Sequence, residues 1–269
     1  MIPAAPCAEA SIAGECVVVK RLIVNADDFG RSPGVNAGVL EAHARGIVTS
    51  ATVMVLEPSA ARGIREAAEK APQLSLGLHF TLTGGGPPAS AARDVPTLAP
   101  GGVFPRRRED MPAMLPAAEV RRELEAQIGV FQVLARKRPS HLDCHHHVSL
   151  HPSVEPVVAE IARKLSLPVR GATDDSLRRL RSSGVRTPDR FIDRFYGESA
   201  GFETLADILE TLPDGTTEVM CHPGRADERL KSTSTYADER EQEIEVLCDP
   251  AIRKLVKSGG IQLIPYESL

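Results

Sequence analysis

Apolar and polar positions along this chain follow two alternating rhythms. Leu22-Ile23-Val24 is an unbroken apolar run, the kind a strand needs when both faces of its sheet are covered. It predicts a strand over 20–25, continuing Val17-Val18-Val19. Similar runs predict strands over 51–56, 74–80, 169–171, 190–196, 217–221 and 261–265. A further strand is expected over 141–147, where the side chains are polar. Between these runs the apolar spacing lengthens to a helical period. Helices are predicted over 34–45, 59–70, 117–137, 152–165, 202–212, 237–248 and 250–258, and 178–181 reads as charged helix or loop. In the longest, Val120, Leu124, Ile128, Phe131 and Leu134 fall near one face.

Strands alternating with helices imply right-handed βαβ units and a parallel sheet. The expected class is α/β: a single, TIM-like (β/α) barrel of seven or eight parallel strands, regular or distorted, with an open doubly wound sheet as the alternative. Residues 20–269 form the expected barrel domain and residues 1–19 an N-terminal extension. Residues 84–116, rich in Gly and Pro, are too long for an ordinary connection and read as a lid or binding loop.

Composition narrows the function. With 32 basic and 36 acidic residues the net charge is −4, and no basic stripe marks a nucleic-acid surface. Arg106-Arg107-Arg108 is followed at once by Glu109-Asp110 and reads as a solvated loop. No apolar run is long enough to span a membrane. The five cysteines, Cys7, Cys16, Cys144, Cys221 and Cys248, are odd in number and scattered. They form no disulfide framework or paired metal motif and suggest reduced thiols in a cytoplasmic protein. A homodimer is the base-rate expectation.

The candidate chemistry lies where apolar runs stop. Five of the eight histidines fall between His141 and His151, with Asp143 among them. On an extended strand His141, Asp143, His145 and His147 share a face and His146 takes the other. Asp27 and Asp28 follow the first strand, His79 closes the third, and Arg170 and His222 close two others. A barrel gathers all these strand ends on one rim, where the active sites of such folds lie. One carboxylate plus two imidazoles is a ligand set that leaves open positions on a divalent metal. A second carboxylate can then serve as base, a histidine as acid, and an arginine can orient the base. No nucleophile elbow, phosphate-binding loop or dinucleotide fingerprint is present.

Asn25-Ala26-Asp27-Asp28-Phe29-Gly30, Gly77-Leu78-His79-Phe80-Thr81-Leu82-Thr83 and His141-Leu142-Asp143-Cys144-His145-His146-His147 together resemble the YdjC-like carbohydrate deacetylases, which include chitooligosaccharide deacetylases. Gly46-Ile47-Val48-Thr49-Ser50, Cys221-His222-Pro223-Gly224 and the ending Gly260-Ile261-Gln262-Leu263-Ile264-Pro265-Tyr266 look similar too. The resemblance implies removal of acetyl groups from a small acetylated sugar or short oligosaccharide. It implies magnesium as the cofactor, with zinc, cobalt, manganese or nickel also suited to the site. Asp28, His79 and His145 would be the metal ligands. By similarity to NodB-type deacetylases, Asp27 would be the general base, His222 the general acid, and Arg170 an orienting residue. His141, Asp143 and His147 would stand behind the ligands or on the substrate side. The competing readings are a metal-dependent hydrolase of a phosphoester or cyclic amide, and a sugar-binding barrel without catalysis.

Overall fold

The structure is a computed structural model that describes residues 19–269. The expected extension at 1–19 lies, but for its last residue, outside the described residues. The element order is β1 (Lys20–Phe29), α1 (Pro33–Arg45), β2 (Ser50–Val53), α2 (Ala60–Lys70), β3 (Ser75–Phe80), α3 (Ala117–Ala135), β4 (Leu142–Cys144), α4 (Glu155–Leu165), α5 (Asp174–Ser182), β5 (Arg190–Ile192), α6 (Phe202–Glu210), β6 (Gly215–Cys221), α7 (Glu228–Thr233), α8 (Glu239–Leu247), α9 (Pro250–Ser258) and β7 (Gln262–Leu263).

All seven strands run parallel in one curled sheet, ordered β4-β3-β2-β1-β6-β5. β7 also pairs with β1. It and β2 share one edge of β1: β7 takes Arg21 and Leu22, and β2 takes Asn25 to Phe29. The result is a distorted (β/α) barrel with helices outside. Its closure is thin between β4 and β5. The strand expected at 169–171 is reduced to one bridge, Leu142 to Val169, and the Val169 N–H donates to the Arg186 carbonyl at 2.9 Å.

Along β1, Ile23, Asn25 and Asp27 share a face by the two-residue period. Ile23 joins Ile264 and Tyr266 in a small apolar plug of their own. Above the plug the interior turns polar: Asn25, Thr52, His141, Asp143 and Glu218 are all at most 1% exposed. The alternate face, with Leu22, Val24 and Ala26, belongs to the large core shared with the helices.

Two expectations need correction. The histidine strand does not run to 147: β4 ends at Cys144, and His145–Leu150 is a helical turn with His146 and His147 at φ 53° and 49°. Left-handed backbone breaks strand alternation, so His147 no longer shares the face of His141 and Asp143. The segment 84–116 is neither structureless nor a wall of the site. It contains three short 3₁₀ turns, and Glu123 and Glu119 of α3 accept four of its N–H groups, those of Ala89, Ser90, Thr97 and Leu98.

Candidate active site

The site starts from an irregularity. Asp27 and Asp28 are neighbours and would point to opposite faces of a regular strand. The register of β1 against β2 shifts between Ala26 and Phe29, and Asp28 has φ 66°. This bulge turns both carboxylates toward one cavity. A positive φ at a non-glycine residue is strained and is found at functional sites.

Asp27 is gripped by Arg170. Nη1 donates to Oδ2 at 2.6 Å and Nη2 to Oδ1 at 2.7 Å. Asn25 Nδ2 adds a bond to Oδ1 at 2.9 Å. Arg170 also donates through Nε to Glu218 Oε1 at 2.8 Å and lies 3.0 Å from Asp143 Oδ2. Burial works to raise the Asp27 carboxyl, but the charge and hydrogen bonds of Arg170, with a smaller contribution from His79, overcome it and hold Asp27 well below the usual range. Asp27 therefore rests ionised.

Asp28, His79 and His145 converge as expected. Asp28 Oδ1 lies 3.2 Å from His145 Nδ1 and 3.5 Å from His79 Nε2, and the two ring nitrogens are 3.2 Å apart. Metal–ligand bonds of about 2.1 Å put neighbouring donors about 3.0–3.4 Å apart, the range from octahedral to tetrahedral angles. Asp28 Oδ1 is also buried without a well-formed hydrogen bond, while Oδ2 accepts from Arg240. One carboxylate oxygen is thus satisfied and the other is left facing two imidazole nitrogens. His79 is oriented from behind: Nδ1 meets Asp143 Oδ1 at 2.7 Å, and Thr52 Oγ1 donates to Asp143 Oδ2 at 2.9 Å. Such carboxylate–histidine pairs set the ring so that Nε2 can ligate. Burial lowers His79, yet the carboxylates of Asp143, Asp28 and Asp27 push it up to about 10. That shift registers a demand for positive charge that a divalent cation would meet instead of a proton. The residues present fit a divalent metal. A second grouping, Asp27, His79 and Asp143, does not, because Arg170 already occupies both oxygens of Asp27 and Oδ2 of Asp143, and the remaining Asp143 oxygen is bonded to the His79 ring.

His222 follows β6, with Nε2 3.9 Å from Asp27 Oδ2. Its Nδ1 is buried without a partner, and burial depresses the ring to about 3, so it rests neutral. Its backbone N–H donates to Glu243 Oε2 at 2.5 Å, and the Tyr236 hydroxyl donates to Glu243 Oε1 at 2.5 Å. Tyr196, 46% exposed, stacks on Tyr236 and meets the His222 ring edge-on. His222, Tyr196 and Tyr236 join Asp27, Asp28, His79 and His145 in lining a cavity of about 330 Å³, none of it from 84–116. That loop touches the site at one remove, where Arg108 donates to the His147 carbonyl at 3.3 Å. His147 lines the cavity without joining the metal donors, and His141 lies behind it, bonded to Asn25 at 3.0 Å. His151 receives the Ser153 N–H at 3.1 Å and caps its own turn.

Sequence reasoning missed Arg240, Glu243 and Glu218. A signal was present: Arg240 and Glu243 share the helical phase of Ile244 and Leu247, and all four are buried. A charged pair on the apolar stripe of a helix has to find buried partners.

The family model for YdjC-like proteins matches residues 21–258. The chain belongs to the YdjC-like family. Among its relatives, a carbohydrate deacetylase of Geobacillus stearothermophilus is 42% identical over 91% of this chain and 96% of its own length. A chitooligosaccharide deacetylase of Proteus mirabilis is 39% identical over 92% and 98%. A crystal structure from Enterococcus faecalis, described as that of a candidate cellobiose-phosphate cleavage protein, superposes with a TM-score of 0.88. It is 34% identical and covers 93% of this chain and 98% of its own. The fold is therefore shared over most of the chain. Among the described residues no helix is long and apolar enough to cross a membrane.

Proposed function

We propose that this protein is a metal-dependent hydrolase that removes the N-acetyl group of an acetamido sugar, such as a short chitooligosaccharide, and releases acetate. The observation that carries this reading is the meeting of three parts in one cavity: the Arg170-clamped Asp27, the Asp28–His79–His145 donor set, and His222. The deacetylase names of the relatives supply the substrate class.

Asp28, His79 and His145 would hold the metal, which when bound polarises the acetyl carbonyl and acidifies water. Asp27 accepts the proton of the attacking water, and Arg170 fixes its two oxygens so that the lone pairs keep one direction. His222 takes that proton on from Asp27, its Nε2 lying 3.9 Å from Asp27 Oδ2, and delivers it to the departing sugar nitrogen; the Asp27 carboxylate so restored stabilises the transient imidazolium. The products are acetate and the free amine. O/N ligation suits magnesium, zinc, cobalt, manganese and nickel alike, and magnesium is proposed on family resemblance. The small cavity, with Tyr196 as its exposed aromatic wall, favours a short glycan over a polymer.

The test is acetate release from diacetylchitobiose by metal-stripped protein, with each of the five metals restored separately. Acetate that appears only with added metal supports the reading. Phosphate released from a sugar phosphate, with no acetate from any acetylated sugar, would replace it with the phosphoester alternative.

A further inference from the structure

Tyr266 stands three positions from the last residue and beyond the 21–258 stretch that the family model matches. It is nevertheless 0% exposed, and two chains of contacts lead from it to Asp27. The first runs through its hydroxyl, which donates to Glu218 Oε2. Glu218 Oε1 accepts from Arg170 Nε at 2.8 Å and lies 2.7 Å from Nη2, and the same guanidinium grips both oxygens of Asp27. The second runs through its ring, stacked on His141 with centroids 3.8 Å apart and planes 7° apart. His141 Nε2 meets Asn25 Oδ1 at 3.0 Å, and Asn25 Nδ2 donates to Asp27 Oδ1 at 2.9 Å. The Tyr266 N–H donates to Ser50 Oγ at 3.0 Å, which pins the residue to the base of β2.

We infer that Tyr266 is a positioning residue for Asp27, acting through Glu218–Arg170 on one side and His141–Asn25 on the other. This rests on the reading of Asp27 as the base. The physical case is one of freedom removed. Arg170 faces three carboxylates, Asp27, Asp143 and Glu218, and could tilt among them. A hydroxyl donor on the far oxygen of Glu218 holds that carboxylate in one plane and so fixes the direction from which Nε is drawn. The stacked ring does the same for His141, whose other side is closed by Gly77: a Cβ there would lie 2.5 Å from the imidazole. Neither chain touches Asp28, His79 or His145 directly; the nearest approach to a metal donor is through Asp143, whose Oδ2 lies 3.0 Å from Arg170 Nη1 and whose Oδ1 meets His79 Nδ1 at 2.7 Å.

Tyr266→Phe removes the donor and keeps the stacking; Tyr266→Leu removes both. Two readouts are taken on the full-length chain: kcat and KM for acetate release from diacetylchitobiose, and the Arg170 Nε–H signal in ¹⁵N NMR, which reports the clamp without substrate. The expected result is a kcat loss on the order of 10- to 100-fold for the Phe variant and more for Leu, since small misplacements of a reacting group have such effects. KM stays within about twofold, and the Arg170 signal broadens or exchanges faster. A Phe variant with kcat and the Arg170 signal both unchanged overturns the inference. If the unaltered protein releases no acetate while the Arg170 signal still collapses in the Phe variant, the positioning stands and the assigned reaction falls.

Discussion

Asp27 and Asp28 are adjacent in sequence and differ in their partners. Arg170 takes both oxygens of Asp27, whereas Arg240 takes one oxygen of Asp28 and leaves the other facing two imidazoles. Asp27→Asn is expected to retain the metal and lower kcat by roughly 10²–10⁴-fold, the range for loss of a general base. Metal content and turnover measured on one preparation check this, and an unchanged rate would remove Asp27 from the mechanism. Glu243 offers a test of a buried acid that sequence reasoning missed. Burial raises it to about 7 from an ordinary 4.5, against the His222 N–H, Tyr236 and Arg240. Below about pH 4.5 both folded and unfolded chains hold this proton, and the group is neutral in its effect. As pH rises toward 7 the unfolded chain releases it first, so the folded state loses up to about 3 kcal/mol. Glu243→Gln cannot titrate. Its unfolding free energy relative to the parent should therefore climb between pH 4.5 and 7 and stay level above that. A flat difference across that window would show that Glu243 ionises normally.

At the scale of elements, helix α1 and the turn after β6 set the position of His222. Gly38 of α1 packs against Gly224 so closely that a Cβ would lie 2.5 Å from Gly224 Cα and 2.7 Å from its nitrogen. Both contacts are backbone, which cannot swing aside as a side chain would. Gly38→Ala is expected to destabilise the fold by about 1–3 kcal/mol, as overpacking does, and to lower turnover by moving the turn that carries His222. Denaturant unfolding together with kcat would check both parts, and a variant of parental stability would mean that α1 can shift freely. The bulge in β1 and the turn after Cys144 are likewise features of elements. Apolar runs located the strands, because burial on two faces selects continuous apolar sequence. They did not reveal where alternation stops, since the positive φ of Asp28, His146 and His147 answers to cavity contacts and not to local propensity.

Across the whole molecule, the barrel concentrates charge of one sign. Asp27, Asp28, Asp143 and Glu218 are buried around Arg170 and Arg240, and the excess of carboxylates favours a bound cation. A ligand that binds only the folded chain adds about 2.7 kcal/mol at a hundredfold excess over its Kd. For a domain of this size that corresponds to a rise in Tm of roughly 5–10 °C. Metal restored to stripped protein should produce such a rise in the parent and in Asp27→Asn, and none in Asp28→Ala. A rise that survives in Asp28→Ala would place the cation elsewhere.

The sequence by itself determined the fold class, the strand-end location of the chemistry and the family. These depend on local quantities: apolar period, residue type at strand ends, and the order of motifs along the chain. It also marked Asp27, Asp28, His79, His145, Arg170 and His222, because buried imidazoles and carboxylates have few structural uses. Family resemblance assigns Asp28 to the metal and Asp27, with Arg170, to the base; only the tertiary structure supplied the physical difference between them, an arginine clamp on one and an open oxygen on the other. It also decided that Arg240, Glu243 and Tyr266, from the last thirty residues, reach the same cavity or the groups behind it. Arg240 lies 18 and 212 positions from its partners His222 and Asp28, Glu243 lies 21 from His222, and Tyr266 lies 48 from Glu218, and separations of that kind are settled by the closure of the barrel, which no local pattern encodes.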